Sequence, residues 1–371
     1  MFLVCALALA GCDGPSTTAA PVSASFAAAT TAAIDKAITT TLDAFKAPGA
    51  IVGISIPGRG TYVVAKGMAD VATSEPMQVD DHMRIGSVTK TFTVTVLLQL
   101  VAEGKIGLDD PVSKYLAFVP NGQNITLRML ANMTAGLFNY TEVTGFNDSV
   151  TANPERSWTP RELVDYGLGA KPYFDPGKGF HYSNTNTALL GMVIEQVTQQ
   201  SIGVVFAARS FEPLGLANTS WPANGALPVP FAHGISVSYT PTAVDATGYS
   251  PTISFTAGQI ISTVHDLMIW TQACATGAQL PADLQKQREQ WVLLPPLTPE
   301  RSYGLGLFFN HGWIGHNGSI PGYTSDAFYL PSQRATVVVL VNSDVAVNRA
   351  TPADAIFRAV AAVVTPDDLP R

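Results

Sequence analysis

The sequence predicts an α+β fold, in which one antiparallel sheet of about five strands is flanked by helices and carries an inserted all-helical lobe. Strand-like segments cluster near both ends of the 371-residue chain, and the stretch between them has helical and loop patterns. Hydrophobic residues make up 47% of the chain and charged residues 13%, so the chain can bury a large core. A single sheet built from both ends and covered by the terminal helices is the simplest arrangement of these segments.

The first residues resemble an export signal rather than part of the fold. Residues 1–11 are apolar and too short to span a bilayer, and Cys12 follows small residues as in a bacterial lipobox. We therefore expect a signal peptide over 1–11, lipidation of Cys12, and a flexible linker over 12–31 in a secreted protein on the outer face of the cytoplasmic membrane. No Lys or Arg precedes Lys36, so the usual basic start is missing and a frayed apolar N-terminus is the alternative.

The folded domain is predicted over 32–371. A helix over 32–46 and a hairpin of strands 50–56 and 61–65 open it. Further helices are predicted at 160–168, with Thr159 as cap, and at 185–198, 262–275 and 352–364. Further strands are predicted at 305–309, 313–316, 326–330 and 336–341. This order gives a sheet lobe (32–86 and 258–371) and a helical lobe (87–257), with a small-molecule site between them.

A helix that starts near Ser87 and ends at Glu103-Gly104 carries the first chemical motif. Lys90 follows Ser87 by three residues, which places both side chains on one helix face. The hydroxyl would lie at the positive end of the helix dipole, where a developing oxyanion is stabilised. Taken alone, the pair is more typical of an ordinary helix start with a surface lysine.

Two further motifs follow in order: Tyr182-Ser183-Asn184 before a predicted helix, and His316-Asn317-Gly318 at the end of a predicted strand. All three in this order would arise by chance on the order of once in a hundred sequences of this composition. Together they resemble the penicillin-recognising serine hydrolases, which include class C β-lactamases, Streptomyces-type D-alanyl-D-alanine carboxypeptidases and related esterases. The resemblance runs from about residue 46 to residue 343 and implies the same two-lobed fold.

The resemblance implies an acyl-enzyme formed on Ser87. It assigns Lys90 to activating Ser87 and Tyr182 to proton exchange with Ser87 and the leaving group, although either side chain remains possible as the base. It places the oxyanion between the backbone N–H groups of Ser87 and Ser319. It implies substrate binding by four residues: Asn184, His316, Asn317 and Gly318.

Three departures from the family pattern bear on the substrate. His316 stands where many β-lactamases have lysine, Phe308-Phe309 where some carboxypeptidases have a carboxylate-binding arginine, and Met133 for a family histidine. The pocket should therefore be less cationic than a peptidoglycan enzyme requires. We expect hydrolysis of a peptide, amide or ester bond, with a carboxylesterase, a weak β-lactamase or a non-catalytic envelope lipoprotein as alternatives.

The composition also indicates which partners to expect. The net charge is −7 and no lysine-rich run occurs, so nucleic acid is not an expected partner. No metal-ligand spacing or nucleotide-binding glycine loop is apparent, and no cofactor is expected. The expected partners are a small-molecule or peptide substrate and, through the lipid anchor alone, a membrane. A monomer is assumed, since the sequence does not give the oligomeric state.

Overall fold

The computed structural model describes residues 25–240, 242–294 and 300–370. The predicted signal peptide, Cys12 and residues 12–24 of the predicted linker lie outside the described residues. Residues 28–31 of that linker already belong to the first helix, so the folded body begins a few residues earlier than predicted.

The helices, in chain order, are α1 (Ala28–Phe45), α2 (Thr89–Ala102), α3 (Leu127–Ala131), α4 (Thr144–Ala152), α5 (Pro160–Leu168), α6 (Asn184–Thr198), α7 (Ile202–Phe206), α8 (Glu212–Leu214), α9 (Val264–Thr276), α10 (Ala282–Arg288) and α11 (Pro352–Val364). Within the described residues, no single helix is long and apolar enough to cross a membrane; α6 and the segment Ile202–Leu214 reach that length and composition only together, across an 83° bend.

The strands are β1 (Gly49–Ile56), β2 (Gly60–Asp70), β3 (Glu75–Pro76), β4 (Met83–Arg84), β5 (Ile235–Ser236), β6 (Val244–Asp245), β7 (Ile261–Ser262), β8 (Val292–Leu293), β9 (Arg301–Tyr303), β10 (Phe308–Asn310), β11 (Trp313–Ile320), β12 (Tyr323–Leu330) and β13 (Ala335–Val341). Nine of them form one sheet in the order β3-β2-β1-β13-β12-β11-β10-β9-β8. Every pairing in that sheet is antiparallel.

The α+β class and the antiparallel sheet made from both chain ends are confirmed. The five long strands β2, β1, β13, β12 and β11 correspond to the predicted sheet, and four strands of two or three residues extend its edges. The start of α5 follows from local chemistry, because Thr159 and Glu162 form a reciprocal capping box around Pro160. The predicted helix over 262–275 begins later than expected, since Ile261–Ser262 pair with Met83–Arg84 as a strand.

Helices cover the sheet on both sides. On the side called here the rear face, Trp313, Phe328 and Val337 pack with α1 and α11. On the other side, the front face, Ile314 and Val338 join a larger apolar cluster that includes α2, α6 and α9. Alternate residues of β11 and β12 therefore point into different cores, as the two-residue repeat of a strand requires.

Candidate active site

Ser87 lies where the chain passes from β4 into α2. Residues Gly86–Val88 form one 3₁₀ turn, and the α-helix begins at Thr89, slightly later than predicted. The side chains around Ser87 are buried, whereas Ser87 itself is partly exposed and lines a cleft between the sheet and the helical segment. The sequence thus places a serine hydroxyl at a helix start that faces an open space.

The turn before Ser87 is pressed directly against β11. A methyl group on Gly86 would lie 2.8 Å from the backbone nitrogen of Ser319, and one on Gly318 would lie 2.1 Å from the carbonyl oxygen of Ile85. Gly86 also has a φ of +50°, a conformation that suits glycine. Glycine at both positions therefore allows the backbone at Ser87 to approach the Ser319 N–H.

Lys90 is completely buried beneath the cleft and has three hydrogen-bond partners. Its Nζ lies 3.0 Å from Ser87 Oγ, 2.7 Å from Asn184 Oδ1 and 2.7 Å from the carbonyl oxygen of Ala257. Burial lowers the pKa of Lys90 well below its ordinary value of 10.5, because a charged ammonium is disfavoured away from water.

The identity of these partners fixes the direction of the hydrogen bond to Ser87 when Lys90 is neutral. A neutral amine has two N–H donors and one lone pair. The oxygens of Asn184 and Ala257 can only accept, so they take the two N–H groups. The lone pair then faces Ser87, whose hydroxyl must donate to it. A protonated Lys90 would instead use all three N–H groups as donors and would leave Ser87 without a base.

Asn184, the first residue of α6, is held in this orientation by two other side chains. Its Nδ2 donates to Thr141 Oγ1 at 3.2 Å, and its backbone N–H donates to Asn139 Oδ1 at 3.0 Å. The amide oxygen is thereby directed at Lys90. The Tyr-x-Asn motif thus brings its asparagine to the lysine of the first motif.

Tyr182 lies on the other side of Lys90, with its ring centre 4.8 Å from Nζ. The phenol oxygen is buried and makes no hydrogen bond of ordinary geometry with a described residue, although the hydroxyl of Ser87 is near enough to affect its titration. Burial raises the pKa of Tyr182, against the opposing effect of Ser87. Its ring packs edge-on against Tyr303 and parallel to Phe308, at centroid distances of 6.1 and 6.2 Å.

His316 is fully buried beside this aromatic group. Its Nδ1 contacts the carbonyl oxygen of Asn317 and its Nε2 lies 3.1 Å from the hydroxyl of Tyr303. The carbonyl can only accept, so Nδ1 carries the proton and Nε2 accepts from Tyr303. Burial, and next the charge of Lys90, lowers the pKa of His316 to about 3, against the contact with the Asn317 carbonyl. His316 is therefore neutral near pH 7.

The cleft in front of Ser87 has a volume of about 390 Å³. Phe146, Tyr239 and Ile320 give it apolar walls, and hydroxyl and amide side chains complete it. None of the described residues that line it is Lys, Arg, Asp or Glu. Such a cleft suits an uncharged, partly apolar molecule.

The structure brings Ser87, Lys90, Tyr182, Asn184 and His316 together, with Gly318 and Ser319 against the turn. It does not bring in the side chain of Asn317, which points to the rear face and donates to Asp354 Oδ1 at 3.4 Å. Successive side chains of a strand point to opposite faces of the sheet. Because Asn317 directly follows His316 in β11, its orientation away from the cleft could have been predicted. Sequence reasoning missed four contacts of the group: the Ala257 carbonyl, the Asn139 amide oxygen, the Thr141 hydroxyl and the Tyr303 hydroxyl. Tyr303 was visible only as part of a family-like Tyr-Gly-Leu-Gly segment.

Comparison with known proteins decides the family. The family model described as Beta-lactamase matches residues 34–361, which is most of the chain. The chain belongs to the Beta-lactamase family. The resemblance inferred from the three motifs is thus confirmed, together with the fold class that it implied.

Several proteins of this family with solved structures resemble the chain over nearly its whole length. A D-stereospecific amidohydrolase from Streptomyces sp. is 32% identical, with a TM-score of 0.82 over 90% of this chain and 98% of that one. The D-amino acid amidase from Ochrobactrum anthropi SV3, in its complex with L-phenylalanine amide, is 26% identical, with a TM-score of 0.78 over 89% and 97% of the two chains.

Among curated proteins, the D-aminopeptidase of Cereibacter sphaeroides is 26% identical over 335 residues, which cover 86% of this chain and 61% of the relative. Protein flp of Staphylococcus aureus is 28% identical over 303 residues, or 80% and 59%. The chain therefore spans about three fifths of the length of these curated relatives. The relatives support the coarser part of the functional prediction, a hydrolase of the Beta-lactamase family.

Proposed function

We propose that this protein is a serine amidohydrolase that cleaves the amide bond of a D-amino acid amide or a short peptide through an acyl-Ser87 intermediate. The observation that carries the proposal is the arrangement around Lys90. Its two N–H groups are occupied by carbonyl oxygens and its remaining lone pair faces the Ser87 hydroxyl. A buried amine whose pKa is lowered is suited to accept a serine proton near neutral pH.

The remaining steps use groups that face the same space. The N–H groups of Ser87 and Ser319 would stabilise the oxyanion of the tetrahedral intermediate, where a single donor is worth about 3 kcal/mol. Tyr182, whose buried phenol oxygen lies near the Ser87 hydroxyl, would pass the proton from Lys90 to the leaving nitrogen. Because burial raises its pKa, Tyr182 carries its proton at neutral pH and would act as the acid. Water would then release the acyl group by the reverse sequence.

The charge of the cleft supports an amide rather than a substrate with a free carboxylate next to the scissile bond. Peptides ending in D-Ala-D-Ala and penicillins carry such a carboxylate, which needs a cationic partner. His316 is neutral at pH 7, and the described lining residues include no Arg or Lys. The names of the solved relatives, a D-stereospecific amidohydrolase and a D-amino acid amidase, point to the same bond and configuration.

A substrate panel tests this proposal. Purified wild type and Ser87→Ala are compared on D- and L-phenylalanine amide, a D-Ala-D-Ala peptide, a short acyl ester and nitrocefin. We expect D-phenylalanine amide to have the highest kcat/KM and Ser87→Ala to be inactive. Preference for the D-Ala-D-Ala peptide, the ester or nitrocefin would replace the amidase proposal by the corresponding alternative. A folded wild-type protein that neither turns over any substrate nor is labelled by a fluorophosphonate would favour a non-catalytic binding module.

We further propose that the protein is exported and anchored by lipid on Cys12, with residues 12–24 as part of the tether. The support is the sequence pattern alone. Partitioning of the full-length protein into detergent, lost in Cys12→Ala, is the expected result; a wild-type protein found wholly in the aqueous phase would contradict the anchor.

A further inference from the structure

A second cavity lies on the rear face of the sheet, where β10, β11 and β12 meet α11. Its volume is about 100 Å³, and none of its lining residues also lines the cleft in front of Ser87. Phe328 and Phe357 form an apolar wall, while Arg301, Arg358 and Asp354 supply charges. The cavity therefore combines an apolar surface with both signs of charge.

A buried carboxyl group lies behind this cavity. Asp326 is fully buried, and neither of its oxygens makes a hydrogen bond of ordinary geometry with a described residue, although the carboxyl group of Asp354 is near enough to affect its titration. Its side chain faces the carboxyl group of Asp354, and Asn317, its neighbour across the β11–β12 ladder, also lines the cavity. Burial, and next the charge of Asp354, raises the pKa of Asp326 well above its ordinary value, with Arg358 opposing. Burial and the neighbouring Asp354 therefore favour the protonated form of Asp326.

Two cations at the cavity have no hydrogen-bonded partner side chain within residues 25–240, 242–294 and 300–370. Arg301 and Arg358 are exposed, and neither guanidinium forms an ion pair or a side-chain hydrogen bond with a residue that the structure describes. A guanidinium binds a carboxylate with two parallel hydrogen bonds, so a carboxylate-bearing ligand fits these groups better than a neutral one.

These features point to one ligand class. We propose that the rear cavity binds a small free α-amino acid, with its ammonium group at Asp354, in front of the buried Asp326, its carboxylate at Arg301 and Arg358, and its aliphatic side chain against Phe328. One water needs roughly 10–15 Å³ of cavity, so 100 Å³ holds about seven to ten non-hydrogen atoms. Alanine, valine and leucine are within this limit and tryptophan is not. A metal ion fits less well, because no group of three or more His, Cys, Asp or Glu side chains in the described part of the chain could hold one.

The position of Phe308 gives such a site a connection to the catalytic group. Phe308 lines the rear cavity, and its ring centre also lies 4.8 Å from that of His316 and 6.2 Å from that of Tyr182. A free amino acid is the product of the amide hydrolysis proposed above. A role for the rear site in sensing the reaction product rests on that proposed function. The binding of an amino acid in the rear cavity does not depend on it.

Binding is tested by calorimetry on the Ser87→Ala protein, which cannot turn over a ligand. The titrants are D- and L-leucine, together with 4-methylpentanoate, which lacks the ammonium, and isopentylamine, which lacks the carboxylate. We expect one leucine enantiomer to bind at least tenfold more tightly than either analogue. The ammonium group should favour the ionised form of Asp326, so the proton held on Asp326 should be released on binding and the measured heat should change with the ionisation enthalpy of the buffer. D- and L-tryptophan should bind at least tenfold more weakly than leucine.

Variants locate the site. Asp354→Asn, combined with Ser87→Ala, should weaken leucine binding at least tenfold. The matched control is Asp283→Asn, which removes a carboxylate from the first turn of α10, away from the cavity, and should leave binding unchanged. Leucine binding that survives Asp354→Asn, or is absent at millimolar leucine, would overturn the proposal. Heat from calcium chloride but not from leucine would do the same and would identify a cation site. Because the protein used is inactive by design, the result stands whether or not the amidase proposal holds.

Discussion

Lys90 and Asp326 are both fully buried, on opposite sides of the same sheet, but their surroundings differ. Lys90 on the front side has three oxygen partners within 3.0 Å. Asp326 on the rear side makes no hydrogen bond of ordinary geometry with a described residue and faces a second carboxyl group. A buried polar group that is fully hydrogen-bonded holds a defined geometry, whereas an unpartnered one is a cost that a ligand can relieve. The front side is therefore built in advance of its substrate, and the rear side is left incomplete.

Packing shows the same contrast. On the front side, the backbone of the Ser87 turn lies so close to β11 that a single methyl group on Gly318 would overlap the Ile85 carbonyl. On the rear side, β10, β11 and α11 leave a cavity of about 100 Å³. Close backbone contact fixes the distance between the N–H groups of Ser87 and Ser319. Stabilisation of an oxyanion requires its donors to be in position before the substrate binds.

The two buried groups also respond to pH in opposite directions. The pKa of Lys90 is lowered, so its neutral, basic form is present above that pKa and is lost as the pH falls through it. The pKa of Asp326 is raised above 3.8, so the folded state holds a proton that the unfolded state releases. Its contribution to stability is complete below pH 3.8 and is lost as the pH rises towards the raised value.

The largest expected effect comes from removing the base on the front side. Lys90→Ala should slow acylation of Ser87 by on the order of 10²–10⁴-fold, because Tyr182, the other titratable side chain near the Ser87 hydroxyl, keeps its own proton at neutral pH. The rate of fluorophosphonate labelling, followed by intact mass, measures it. Lys90→Met keeps most of the buried volume and should lose as much activity, which separates the lost base from a packing defect.

Lys36→Ala, on the exposed side of α1, is the matched control and should label at the wild-type rate. In the wild type, the labelling rate should fall as the pH drops below the pKa of Lys90. His316 should add no inflection of its own near pH 6.5, because it stays neutral down to about pH 3. Labelling of Lys90→Met at a near-wild-type rate would exclude Lys90 as the base.

A smaller loss is expected from disturbing the close approach of the Ser87 turn to β11. In Gly318→Ala the added methyl group must push the Ile85 carbonyl away, which moves the Ser87 N–H relative to that of Ser319. Loss of one oxyanion donor lowers kcat by on the order of 10²–10³-fold. Gly145→Ala, in a roomier position on α4, adds the same methyl group without a close contact and should leave kcat unchanged. Equal kcat in Gly318→Ala and wild type would show that this contact does not set the oxyanion geometry.

The contrast between the two sides also explains what could be predicted from the sequence. Some helix starts could be predicted from signals that are local in the chain. Thr159 as cap with Pro160 after it indicated the start of α5, and Thr351 with Pro352 marks the start of α11 in the same way. The three motifs indicated which front-side residues to expect together, because each motif is a short run whose spacing is tied to one chemistry.

Features that depend on tertiary contacts could not be predicted in this way. The carbonyl of Ala257 accepts a hydrogen bond from Lys90, 167 residues away in the sequence. Every residue type has a backbone carbonyl, so the sequence does not indicate which one makes this contact. The two- and three-residue strands at the sheet edge are too short to show a period. The Asp326 and Asp354 pair was not anticipated, since neither residue belongs to a motif and only the packing of α11 on β12 brings them together.

The smallest expected effect, and the most direct test of the rear side, is a change in stability. Asp326→Asn removes one of two facing carboxyl groups and gives Asp354 an amide donor, so the protein should become about 1–3 kcal/mol more stable towards urea at pH 8. The gain should shrink as the pH falls and should vanish below pH 3.8, where Asp326 is protonated in both the folded and the unfolded wild type. Asp354→Asn should give a smaller gain in stability, because it also removes a negative charge that stabilises the start of α11. A gain that does not change with pH would mean that Asp326 contributes packing alone, and it would contradict a proton held on Asp326 without affecting the front-side chemistry.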